Sequence, residues 1–138
     1  MLSTSVEIRV RYAETDAMGV VYHANYLPWF EMARIALFDK IGISYRSLEE
    51  QGYLLPVLEA HLKYIAPARF DDVVKVTVLM DEMPRVRIRV KYTVELGGRV
   101  ITTGETLHAF MDRDARAVKP PPLVIDTLAA IFDAREGD

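Results

Sequence analysis

Cysteine is absent from all 138 residues. That excludes disulfides, a thiolate nucleophile and cysteine-ligated zinc. It also suits a reducing compartment, so the expected location is the cytoplasm. A dominant charge of one sign is missing too. Seventeen basic residues face twenty acidic ones, for a formal charge of -3. No basic stretch stands out, so no nucleic-acid partner is expected. No apolar run is long enough to cross a bilayer, because charges interrupt each one, and membrane insertion is not expected. The opening M-L-S-T-S-V-E-I-R-V-R lacks the basic-then-apolar layout of a secretory signal. There are only three histidines and no cluster of metal ligands, so no metal site is expected. Repeats, low-complexity stretches and linkers are also missing. What remains is 51% hydrophobic, enough to build one core, and the length predicts one domain over 1–138.

The residues that are present alternate in two periods. S-V-E-I-R-V-R over 5–11 reads as a strand with one buried face. Residues 13–24 read as irregular, with Gly19 as the turn. Asn25 is the expected N-cap of a helix running to about Ile41, with Pro28 in its first turn and Gly42 as its stop. That helix is apolar nearly all round, which predicts burial. A shorter helix follows, capped by Ser44 and ended by Gly52. Period-two alternation then predicts strands over 57–66, 73–80, 86–94 and 100–111, with a hairpin turn at Gly97 and Gly98. Pro120 to Pro122 break the pattern, and 120–138 is a tail or a closing helix. The order predicts an α+β fold, an antiparallel sheet wrapped around one long central helix. The remaining sheet edge must be covered or paired, which predicts dimerisation through it.

One stretch points to chemistry. Y-A-E-T-D-A-M-G-V-V-Y-H-A-N, residues 12–25, sets Asp16, Gly19 and His23 just ahead of the long helix. A carboxylate beside a helix N-terminus suits acyl transfer, with backbone N–H groups holding the developing oxyanion. Spacing alone also allows a structural reading of Asp16, since T-D-A-M-G is good turn chemistry.

The segment 12–34, Y-A-E-T-D-A-M-G-V-V-Y-H-A-N-Y-L-P-W-F-E-M-A-R, resembles the signature of the 4-hydroxybenzoyl-CoA thioesterase family of hotdog-fold acyl-CoA thioesterases. In particular it resembles the branch associated with the bacterial Tol–Pal system. Y-I-A-P-A-R-F-D-D-V (64–73) is similar to the same family's strand–loop–strand passage. The resemblance implies hydrolysis of acyl-CoA thioesters to free acid and coenzyme A. No retained cofactor is implied, and coenzyme A enters only as part of the substrate. It implies a homodimer or homotetramer with the site at the subunit interface. Asp16 then holds the catalytic position, as nucleophile or as general base on water. The amide of His23 polarises the thioester carbonyl, and the His23 side chain is a second catalytic candidate.

Other residues carry weaker expectations. Glu31, on the long helix, is read as paired with Arg34 three residues on, or as orienting the acyl end or a water. Gly19, Tyr22 and Trp29 are expected at the substrate. Trp29 also reads as core, and Met18 and Trp29 as residues that reshape the acyl pocket. Arg85, Arg87, Arg89 and Lys91 fall on one strand face, normally a solvated one. Of these, Arg85 and Arg87 are the candidates for the coenzyme A phosphates, with Lys63 and Arg69 as lesser ones. His61 and His108 read as structural. Two rivals stand beside the hydrolase reading: a hotdog hydratase or dehydratase of acyl thioesters, and a non-catalytic acyl-CoA-binding or scaffold protein.

Overall fold

The computed structural model describes residues 1–136, so the last two positions of the expected 120–138 segment lie outside the described residues. Strand β1 is Leu2–Arg9, and helix α1 spans Tyr26–Lys40. Helix α2 spans Tyr45–Glu50, followed by β2 (Val57–Tyr64), β3 (Val73–Met80), β4 (Arg87–Leu96) and β5 (Arg99–Ala109). Helix α3, Pro122–Glu136, ends the described chain. The five strands form one sheet in the order β1-β3-β4-β5-β2, every neighbour antiparallel. With α1 across it, this is the expected α+β hotdog arrangement.

Several boundaries follow from identifiable residues. Gly97 and Gly98 both have positive φ, 59° and 79°, and Leu96 pairs with Arg99. This is a two-residue hairpin of the kind glycine favours. Pro28 sits in the first turn of α1, where its missing N–H costs little, and Gly42 follows the helix at φ 79°. Ser44 Oγ accepts from the Ser47 amide at 3.2 Å and caps α2. Asn25 departs from expectation. It holds the N-cap position, but its side chain makes no cap bond. Instead its Nδ2 donates to the Glu14 carbonyl at 2.8 Å.

The sheet faces α1 with one surface. Val74, Val76 and Val78 of β3 and Ile88, Val90, Tyr92 and Val94 of β4 point into the core, as alternation predicts. On α1 the buried residues are Tyr26, Trp29, Phe30, Ala33, Arg34, Leu37 and Phe38, one stripe at helical spacing. The expectation of burial all round is therefore corrected: Leu27 and Met32 remain 37% and 50% exposed. A sheet has only one concave face, so it covers one side of a helix. The alternation expected in β2 does not become burial either, since this edge strand is open on both faces in one protomer. Val124, Leu128 and Phe132 bury one side of α3.

Gly104 in β5 leaves room for the Phe30 ring of α1. A Cβ there would collide with Cε2 and Cζ of Phe30. Phe30 is fully buried and stacked on Tyr92, with ring centroids 4.1 Å apart. It has no room to retreat. Gly104→Ala is expected to lower unfolding free energy by about 1–3 kcal/mol. Urea denaturation showing no loss would count against this packing.

Candidate active site

The chain between β1 and α1 is built around two carboxylates. Glu14 is buried. Its Oε1 accepts from the Arg11 amide at 2.8 Å, and its Oε2 accepts from Trp29 Nε1 at 2.7 Å. Its carbonyl accepts from the Tyr22 amide and from Asn25 Nδ2. Glu14 thus ties the loop to the start and first turns of α1. A buried indole N–H needs an acceptor, and Glu14 supplies it. Glu14→Ala strands the indole and the Arg11 amide, with an expected loss of about 1–3 kcal/mol in urea unfolding. Equal stability of variant and wild type would reject the tie.

Asp16 lies two residues further on, at the mouth of a tight loop closed by the Thr15–Val21 bridge. Its amide donates to the Val20 carbonyl at 2.8 Å, and its carbonyl accepts from the Gly19 amide at 2.9 Å. Its Oδ1 accepts from the Met18 amide at 2.9 Å and, more weakly, from the Val20 amide at 3.4 Å. Gly19 closes the turn at φ 77°, a conformation that disfavours side chains. Among the described residues no hydrogen bond engages Oδ2. One carboxylate oxygen is therefore held by backbone amides, and the other carries no hydrogen bond among the described residues.

Asp16 and His23 line one cleft of about 300 Å³, walled by Val21, Tyr26, Tyr64 and Ile65. His23 opens the short 3-10 turn His23–Asn25 that leads into α1. Its carbonyl accepts from Tyr64 Oη at 2.6 Å, and its ring lies 4.3 Å from that of Tyr22. Among the described residues the His23 and Ala24 amides donate to no backbone carbonyl. Burial pushes the Tyr26 and Tyr64 phenols up, so both are neutral at ordinary pH.

The other sequence candidates lie elsewhere. Gly19 and Tyr22 are exposed beside the cleft and are not part of its wall. Trp29 does not line the Asp16 cleft: it is 1% exposed, and its indole bond to Glu14 fixes it in the core. The expected Glu31–Arg34 ion pair does not form. Glu31 is exposed, whereas Arg34 turns inward and donates from Nη1 to Tyr92 Oη at 3.0 Å. Within one protomer Glu31 lines a different cleft from Asp16. On β4, Arg89 pairs with Glu105, and Lys91 pairs with Asp81 at 2.8 Å. Arg85 and Arg87 are exposed and make no ion pair among the described residues. Arg87 borders a hollow of about 220 Å³, separate from the Asp16 cleft. Among the described residues no group of three metal-ligating side chains gathers, and no helix is long and apolar enough to cross a membrane.

Sequence reading missed Glu14, Tyr26 and Tyr64. Glu14 carried a signal, being three residues after Arg11 and just ahead of a tryptophan-bearing helix. Tyr64 carried none, because its partner is 41 residues away.

The class defined by this fold is that of the hotdog proteins. The chain belongs to the thioesterase-like superfamily, whose family model matches residues 10–131. The solved DHNA-CoA thioesterase of Staphylococcus aureus is similar over 100% of this chain and 97% of its own, at 33% identity and a TM-score of 0.93. Bacillus subtilis YneP, described as a candidate acyl-CoA thioesterase, is 48% identical over 66 residues, 48% of this chain and 48% of its own length. The acyl-CoA thioester hydrolase YbgC of Escherichia coli O157:H7 is 36% identical over 76 residues, 55% of this chain and 57% of its own. The chain thus aligns with about half the length of these two relatives.

Proposed function

We propose that this protein hydrolyses acyl-CoA thioesters, with Asp16 as the reacting carboxylate. The observation that carries this reading is the pinned Oδ1 and free Oδ2 of Asp16, in a cleft at the start of α1. In one route Oδ2 attacks the thioester carbon, coenzyme A leaves as the thiolate, and water cleaves the resulting anhydride. In the other, Oδ2 takes a proton from water as that water attacks the carbon directly, and coenzyme A leaves as the thiolate. Both routes place negative charge on the carbonyl oxygen, and the His23 amide at the helix start is the donor proposed to receive it. The His23 imidazole orients substrate or water. No metal or retained cofactor takes part. Its cysteine-free composition suits the cytoplasm.

Within the superfamily, the 12–34 signature is similar to that of the 4-hydroxybenzoyl-CoA type and its Tol–Pal-associated branch. We also propose that two copies pair through the open edge of β2. Val57, Leu58, Tyr64 and Ile65 are exposed there, 39% to 48% each. Met32 and Leu27, uncovered on α1, add to the apolar surface.

A panel of acyl-CoAs of graded length, plus an aromatic one, tests the reaction by free-thiol release. No thiol release across the panel would refute it. Arg85 and Arg87, unpaired and exposed, are the proposed phosphate contacts. Replacing either with alanine is expected to raise KM for acyl-CoA severalfold with little change in kcat. A fall in kcat at constant KM would exclude that role.

A further inference from the structure

A second cleft, of about 480 Å³, opens between α1, α2 and the segment leading into β2. Ile35, Leu48, Tyr53 and Phe110 give it an apolar wall. Arg34 and Tyr45 also line it, and they differ from the rest of the wall. Arg34 is 5% exposed and makes no ion pair among the described residues. Its Nε and the Tyr45 hydroxyl are both enclosed, and neither has a hydrogen-bond partner.

The orientation of Arg34 is fixed from behind by a directed chain of hydrogen bonds. Arg34 Nη1 donates to Tyr92 Oη at 3.0 Å. Tyr92 Oη and Thr106 Oγ1 are 2.6 Å apart, and Thr106 Oγ1 and His108 Nε2 are 2.8 Å apart. His108 Nδ1 lies 3.2 Å from the Pro56 carbonyl. That carbonyl only accepts, so Nδ1 carries the proton and Nε2 accepts from Thr106. Thr106 in turn accepts from Tyr92, and Tyr92 accepts from Arg34. Every bond in the chain has one direction. Phe38 holds the Tyr45 ring edge-on at 5.3 Å.

We propose that this cleft is a receptor for an organic carboxylate with an apolar body, whose oxygens accept from Arg34 Nε–H and Tyr45 O–H. Neither group has a partner in hydrogen-bonding geometry, although the guanidinium and the phenol lie near each other, and a buried guanidinium without a counter-ion favours an anion over a neutral acceptor. Burial holds the Tyr45 phenol in its protonated form, so no phenolate offsets Arg34. Glu31 and Glu49 also line the cleft, but both are exposed. Arg46 is occupied by Glu50 at 3.3 Å. The enclosed charge that a ligand meets is therefore that of Arg34.

The carboxylate can be a free acid or the far end of an acyl group on coenzyme A. Calorimetric titration of the whole protein with hexanoate and with hexan-1-ol decides whether the receptor exists, without any turnover. Hexanoate is expected to bind at least about tenfold more tightly than the alcohol. Tyr45→Phe removes a hydroxyl on which no bond in the fold depends. It is expected to keep its melting temperature and to weaken hexanoate severalfold. Arg34→Met is expected to abolish the preference for the acid. Equal affinity for acid and alcohol means that only water serves these donors, and it overturns the proposal. So does an unchanged hexanoate affinity in a folded Tyr45→Phe protein. Competition then identifies the source. If adipyl-CoA displaces hexanoate and hexanoyl-CoA does not, the receptor holds the far end of a substrate. If neither displaces it, the site is one for free acids.

Discussion

Asp16→Asn lowers acyl-CoA hydrolysis by on the order of 10²–10⁴-fold and leaves the melting temperature unchanged. Both halves of this expected result follow from the two oxygens. An asparagine keeps the Oδ1 acceptor that the Met18 amide requires at 2.9 Å, so the turn and its bridge persist. The free oxygen becomes an amide nitrogen. It has no lone pair to offer a thioester carbon and no basicity to offer water. Free-thiol release with saturating substrate reads the first half, and thermal denaturation reads the second. Turnover near the wild-type level would remove Asp16 from the reaction, and with it the proposed chemistry. A large fall in melting temperature would show that the carboxylate serves the loop instead. Because Asp16→Asn leaves the Arg34 cleft untouched, hexanoate binding in that variant stands or falls independently of catalysis.

What the sequence revealed about this site was local. Asp16, Gly19 and His23 lie within eight residues of one another, and the helix begins immediately after. Turn chemistry and the cap region were therefore enough to place the loop at a helix start. The strands of the sheet were legible because Val74, Val76 and Val78, or Ile88, Val90 and Tyr92, show period two without interruption. Helix α1 was legible in extent but not in its surroundings. Its apolar residues encircle it, yet the sheet takes only the stripe through Trp29, Phe30, Ala33 and Leu37. Which apolar side chains stay uncovered is decided by the sheet, which spacing along the helix does not describe.

Glu31 shows the same gap at the level of one residue. Residues three apart on a helix are neighbours, so Arg34 was its natural partner. They line the same cleft, but Arg34 belongs to the buried stripe and Glu31 stays exposed, so the ion pair does not form. Arg34 instead meets Tyr92, 58 residues away, and Tyr92 meets Thr106 across two paired strands. Sheet register fixes such contacts. His108 was read as structural, and the structure gives that reading its content, as the far end of the chain that begins at Arg34.

That chain makes the protein acid-sensitive. Burial, and then the positive charge of Arg34, push His108 down from 6.5 to about 4. Above pH 6.5 the histidine is neutral both folded and unfolded, and it places no pH dependence on stability. Between pH 6.5 and about 4 the unfolded chain binds a proton that the folded one refuses, so stability falls as pH falls. Below about 4 both are protonated, and the loss levels off. At about 1.4 kcal/mol per pH unit, the window corresponds to roughly 3 kcal/mol. The structural cause is polarity. A protonated His108 must donate from Nε2, so Thr106 accepts from both His108 and Tyr92. The Thr106 hydroxyl hydrogen that Nε2 received then loses its acceptor inside the core. His108→Gln retains one donor for Pro56 and one acceptor for Thr106 but has no proton to gain. The expected result is that wild type loses roughly 3 kcal/mol more than His108→Gln between pH 7 and pH 4, measured by urea unfolding at each pH. Asp81, whose carboxyl Lys91 holds below its usual range, weakens both proteins equally in acid and cancels in the comparison. Parallel curves for the two proteins would mean that His108 takes up its proton in place, and that the bonds from Arg34 to Pro56 do not have a fixed direction.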